Sequence, residues 1–225
     1  METQHVVDSR VSLRGRGAAA LDRLVFGPVD VAALVYFRIV FGLVMLWEVA
    51  SFIRFGWISQ LFLDPIYLFT YPGFDWVRPW PEKWMHLHFY GMGLLAAMIA
   101  AGLYYRVASI LFFLGFCYVF LLDKCLYQNH FYLIVLISGL MPLLPANRGF
   151  SADAAMLPWI RGRWVPAWTL GILRAQLGLV YFFGGVAKIN GDWLRGEPMR
   201  SWLAIHAERP VVGPWLTEGW VVQGF

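Results

Sequence analysis

Residues 170–193 read LGILRAQLGLVYFFGGVAKINGDW. About 20 such residues span the ~30 Å hydrocarbon layer of a bilayer as a helix. Backbone polar groups in lipid must be satisfied within the segment, so a helix is the form this stretch takes. Arg174, Tyr181 and Lys188 recur at every seventh position. Two helical turns separate each pair, so all three project from nearly one face. Gly178, Gly184 and Gly185 lie on or beside it, where small residues admit another helix or a flat ligand. A cation in lipid is costly, which points to a buried functional face with partners. The alternative is that Lys188 snorkels to the membrane surface.

Four more apolar runs precede this one, at 31–53, 84–103, 107–122 and 131–144. The chain is 60% hydrophobic and 14% charged, against roughly 45–50% and about 25% in soluble domains. The expected fold is all-α: a polytopic transmembrane helical bundle of about five spans with interfacial connectors. The runs at 107–122 and 131–144 fall short of about 20 residues. They either extend into 104–106 and 123–130 or form a re-entrant pair. Residues 1–29 read as a basic, mobile tail ending at the turn Gly27-Pro28, with 30–225 as the membrane domain. Arg10, Arg14, Arg16 and Arg23 in that tail suit anionic lipid headgroups. The net charge of +4 therefore implies no nucleic-acid partner.

The first run carries Arg38 and Glu48, and Asp30 is placed to cap it. A lone intramembrane arginine rarely faces lipid. Arg38 either locks onto a carboxylate or carbonyl of another helix or contacts the oxygen atoms of a ligand. The connector 55–83 is rich in aromatics and proline. Trp76 and Trp80, with Trp84 just beyond it, suit the headgroup level, and Pro72, Pro79 and Pro81 exclude one continuous helix. His86 and His88 point apart on a helix. Cys117 and Cys125 lack metal-type spacing, so no metal is expected. Between the third and fourth runs, 123–130 reads DKCLYQNH. In one reading it is an interfacial loop with Asp123 and Asn129 capping helices. In the other, His130 and Asn129 line a site at the membrane edge. Ser151 and Asp153 start a short surface helix in the connector 145–166. Residues 190–225 are polar and aromatic, broken by Pro198, Pro210 and Pro214. With five spans in series, His130 and the Lys188 end fall on one side by parity. The basic tail favours a cytoplasmic N-terminus, which puts both on the non-cytoplasmic side.

Five blocks together resemble the vitamin K-dependent γ-glutamyl carboxylase family, also called the HTTM membrane domain. They are YFRIVFG (36–42), RPWPEKWM (78–85), YVFLLDKCLYQNHFYL (118–133), the AN…S-x-D pattern (146–153) and LRAQLGLVYFFGGVAKINGDWLRGEPM (173–199). The resemblance implies a lysine that deprotonates reduced vitamin K, or another quinol, whose oxidation by oxygen to the epoxide yields a strong base. That base removes a γ-proton from peptide glutamate, and the carbanion takes up carbon dioxide. The family's catalytic lysine falls on Lys188, and the histidine of the carboxylation step on His130. Arg174, Tyr181, Asn129 and Arg38 are the expected ligand contacts. A lysine acts as a base near neutral pH only when burial depresses its pKa from about 10.4, and a helix end packed by Gly184 and Gly185 offers such burial. Water exclusion protects a carbanion.

Where the animal enzyme has a second lysine just before the catalytic one, this chain has Ala187. The family continues with further membrane helices and, in the animal enzyme, a lumenal β-rich domain. Residues 30–225 are therefore expected to be the N-terminal part of the domain. The implied partners are the lipid bilayer and a glutamate-containing peptide or protein. The implied setting is a bacterial inner membrane or the endoplasmic reticulum. Two rival readings stand: a quinone-binding membrane oxidoreductase without carboxylation, and a non-catalytic scaffold in which Arg38, Glu48 and Lys188 form interhelical pairs.

Overall fold

Helices α1 (Ala32–Arg54), α2 (Glu82–Ala101) and α3 (Tyr105–Leu122) follow the first three apolar runs to within a few residues. They come from a computed structural model that describes residues 22–197 and 200. Residues 1–21 of the expected tail lie outside the described residues, as do Pro198, Pro210 and Pro214. The chain divides into two units, Met1–Leu173 and Arg174–Phe225.

In the first unit, α1 packs on α2, α2 on α3, and α3 on α4 (Asn129–Leu140). Leu34, Met85, Ala96, Ile99 and Phe112 fill the interfaces, each at most 1% exposed. The α1–α2 crossing is close because Gly42 faces Ala100. A Cβ added at Gly42 would stand 2.6 Å from the Ala100 nitrogen and 2.8 Å from its Cα.

Two short strands close one end. β1 (Pro28–Asp30) pairs antiparallel with β2 (Trp164–Pro166), Val29 opposite Val165. Asp30 accepts from the Ala32 N–H at 2.9 Å, but the capping position expected of it falls to Val31, whose side chain makes no cap bond. It also pairs with Arg163 at 3.0 Å. The Ala32 N–H, and after it the Arg163 guanidinium, hold the Asp30 carboxyl below its ordinary value.

The connector after α1 contains one π-helical turn, Ser59–Leu63, and is otherwise irregular up to α2. α3 gains Tyr105 and Arg106 over the expected run, and α4 gains Asn129 and His130. At 12 residues, α4 is about 18 Å long, and a 3-10 turn, Met141–Leu143, extends it. α5 (Ala152–Met156) is the expected short helix, capped by Ser151, whose Oγ accepts from the Ala154 N–H.

α6 (Ala167–Ala187) begins in the first unit, where Thr169 and Leu173 are buried. It ends earlier than the 170–193 run predicts. Asn190 takes the Asp192 and Trp193 N–H groups onto its side chain and starts a separate turn, α7 (Gly191–Leu194). α1, α2, α3 and α6 are long and apolar enough to cross a membrane, and 129–143 is a shorter apolar helix. The protein is an integral membrane helical bundle.

Candidate functional site

Antiparallel packing of α1 to α4 brings the second halves of α1 and α3 together with the first halves of α2 and α4. A cavity of about 440 Å³ opens at that end. Its walls are aromatic and come from every one of these elements: Phe52, Phe62, Phe89, Phe116, Phe120 and Phe131. Phe52 and Phe89 stack at 5.4 Å, and Phe116 meets Phe131 edge-on at 6.1 Å. Trp57 and Gln60, from the connector, also line it.

Five polar side chains reach this space: Glu48, Gln60, Asp123, Gln128 and His130. Two are already engaged. Asp123 Oδ1 accepts from the Cys125 N–H at 2.9 Å and the Phe69 N–H at 3.3 Å. It thus caps the 3-10 turn Lys124–Leu126 as expected, while also fastening the connector to the end of α3. Gln60 donates to the Phe55 carbonyl at 3.4 Å. Among the described residues, Glu48, Gln128 and His130 have no such side-chain partner. His130 packs against Phe131, ring centroids 4.5 Å apart.

His130 therefore lines a cavity, but from the first turn of α4 rather than from a loop. Asn129 is a correction. It occupies the first helical position, the capping position falls to Gln128, and no side chain caps that end. Asn129 is exposed.

Arg38 lies elsewhere in the first unit, fully buried. Its Nη2 donates to the Phe150 carbonyl, a carbonyl lock as expected, but onto the connector before α5 rather than onto another helix. A Cβ on Gly102 would collide with its guanidinium. Asp153 supplies negative charge nearby and accepts from the Tyr104 and Tyr105 N–H groups at 2.7 and 3.0 Å. One motif thus caps two helices, α5 through Ser151 and α3 through Asp153.

In the second unit, Lys188 follows the last residue of α6, its N–H donating to the Gly185 carbonyl at 3.0 Å. The burial expected from Gly184 and Gly185 is not found. Nothing lies within 4 Å of a Cβ built on either, and Lys188 is exposed. Its ammonium instead sits 4.8 Å from the Trp193 ring centroid, a cation–π contact. Arg174 and Tyr181 are exposed along α6. His86 and His88 take separate partners, the Glu82 carbonyl at 2.9 Å and the Gly115 carbonyl at 3.2 Å.

A second cavity of about 710 Å³ lies between the connector and the end of α3, lined by Pro65, Tyr67, Asp75, Arg78 and Trp80 among others. It holds none of the expected site residues, so the smaller aromatic cavity is the candidate site. Sequence reasoning placed His130 at a site but missed the phenylalanine walls and Gln128. It read Glu48 only as a pairing residue. The one signal for Glu48 was a carboxylate in an otherwise apolar run.

The HTTM domain family model matches residues 26–224. No solved structure matches the chain.

Proposed function

We propose, from the premise that the chain belongs to the HTTM domain family, that this membrane protein is a quinol-dependent γ-glutamyl carboxylase-like enzyme. The HTTM domain is found in vitamin K-dependent carboxylase-like proteins. The observation that carries the reading is the aromatic cavity with His130 in its wall. Its volume of about 440 Å³ falls within the ~300–1,000 Å³ typical of ligand pockets. Phenylalanine faces suit a flat ring, and the unengaged polar groups suit its oxygen substituents. The site also opens within membrane helices, where a lipid-soluble ligand is concentrated.

A bound quinol supplies reducing equivalents and, on oxidation by oxygen to the epoxide, the base strength needed at a glutamyl γ-carbon. The overall conversion takes quinol, oxygen, carbon dioxide and a glutamyl side chain to epoxide, water, γ-carboxyglutamate and a proton. The resemblance gives Lys188 the part of the base that takes a quinol hydroxyl proton. His130 acts where carbon dioxide adds, by hydrogen bonding at the forming carboxylate. Glu48 and Gln128, the other unengaged polar side chains of the wall, are the further contacts to ligand oxygens. Arg38, bonded to the Phe150 carbonyl and outside the cavity lining, holds the fold rather than the ligand. The chemistry runs on the non-cytoplasmic side of a bacterial inner membrane or of the endoplasmic reticulum.

Lys188→Ala and His130→Ala separate these roles. In Lys188→Ala, epoxide formation from reduced vitamin K falls to background, and retained epoxidation removes Lys188 from the base role. In His130→Ala, carbon dioxide incorporation falls further than epoxidation, by about 10²-fold or more if a positioned acid–base group is lost. Equal loss of both products makes His130 structural.

A further inference from the structure

We propose that Glu48 sets the redox selectivity of the aromatic cavity, holding the reduced ring and rejecting the oxidised one. The inference rests on the quinol reading of that cavity. Glu48 lies in the second half of α1, about 9 Å of helix rise from Arg54, and is half-buried. No lysine or arginine lines the cavity. Among the described residues, no hydrogen bond or ion pair engages the Glu48 carboxylate. A carboxylate within a membrane span is costly unless something answers it, so the missing partner is expected to be the ligand.

The chemistry of the partner follows from the donor inventory. An ionised carboxylate only accepts hydrogen bonds. The hydroxyls of a quinol donate, whereas the carbonyls of the corresponding quinone only accept. In its ionised form Glu48 therefore makes a charge-assisted bond with the reduced ring and meets the oxidised ring acceptor to acceptor. Gln60, Gln128 and His130 cannot discriminate in this way, because amides and a neutral imidazole both donate and accept. Asp123, the other carboxylate in the wall, has one oxygen held by two backbone N–H groups. Glu48 is thus a positioning and specificity-determining residue, and it also favours release of the ring once oxidised.

The test is anaerobic binding of 2-methyl-1,4-naphthohydroquinone and of 2-methyl-1,4-naphthoquinone to the full chain in lipid nanodiscs. The readout is quenching of tryptophan fluorescence, Trp57 being part of the wall. The wild-type protein binds the reduced form tighter by about tenfold or more, the worth of one charge-assisted bond. Glu48→Gln, nearly the same shape, brings the two affinities together. Glu48→Asp keeps the reduced form ahead. A purely structural Glu48 would shift both affinities alike, so an unchanged ratio in Glu48→Gln overturns the inference while leaving the quinol reading intact. Equal wild-type affinity for the two forms does the same. Absence of saturable binding of either form by well-folded wild-type protein rejects the quinol reading and the inference with it.

Discussion

Asp153 shows how one side chain can hold several elements. It is 7% exposed, and its oxygens take the Tyr104 and Tyr105 N–H groups and the Asn147 amide at 2.7, 3.0 and 2.9 Å. Those bonds fix a chain path through the left-handed region at Gly102, Tyr104 and Phe150, with φ of 66°, 42° and 42°. Tyr104 and Phe150 are costly there, by about 1–3 kcal/mol each, unless their surroundings hold them. Phe150 in turn presents its carbonyl to Arg38. Asp153→Asn turns one acceptor into a donor facing donors. It is expected to lower stability by about 2–3 kcal/mol, read as an earlier thermal transition in detergent. A variant as stable as the wild type would show that the carboxylate is dispensable. Locally, S-x-D was legible as a helix start, and Ser151 performs that part. The service of Asp153 to Tyr105, 48 residues away, has no local signature. Only tertiary structure reveals it.

At the scale of elements, hydropathy located α1, α2 and α3 well because the bilayer demands a minimum apolar length. It located ends less well where a side chain decides them. The run at 170–193 looked continuous, yet α6 stops at Ala187 because Asn190 caps a new turn. The asparagine followed by Gly191-Asp192 was the available signal, and the apolar residues around it masked it. Packing between elements depends on residues hydropathy cannot see. Gly42 lets α1 approach α2 to the point where an added Cβ meets Ala100 backbone atoms at 2.6 and 2.8 Å. Backbone cannot move aside as a flexible side chain can. Gly42→Leu should therefore force the helices apart and cost about 1–3 kcal/mol or more. Because Val49 and Phe52 on α1 and Phe89 and Met92 on α2 share the cavity wall, the same variant should weaken quinol binding. Unchanged stability and binding would show that the crossing is not tight.

For the whole molecule, the sequence announced a membrane bundle but not what the bundle encloses. A phenylalanine facing lipid and one facing a cavity look alike in a hydropathy profile, since neither needs a polar neighbour. The six phenylalanines of the wall come from five separate segments between residues 52 and 131, so no local pattern joins them. Of the expected site residues, His130 was legible because a polar cluster between two apolar runs is conspicuous. Lys188 was legible from its place in a resembling block, but its exposure and its contact with Trp193 were not. The functional account joins the cavity to family chemistry, and product analysis tests that union directly. Membranes containing this protein would be given reduced vitamin K, oxygen, labelled bicarbonate and a glutamyl peptide, with vitamin K epoxide and labelled γ-carboxyglutamate measured in the same tube. The account predicts both products, rising together with quinol concentration. Epoxide without labelled peptide would move the protein to the quinone oxidoreductases, and neither product from well-folded protein would contradict the quinol chemistry altogether.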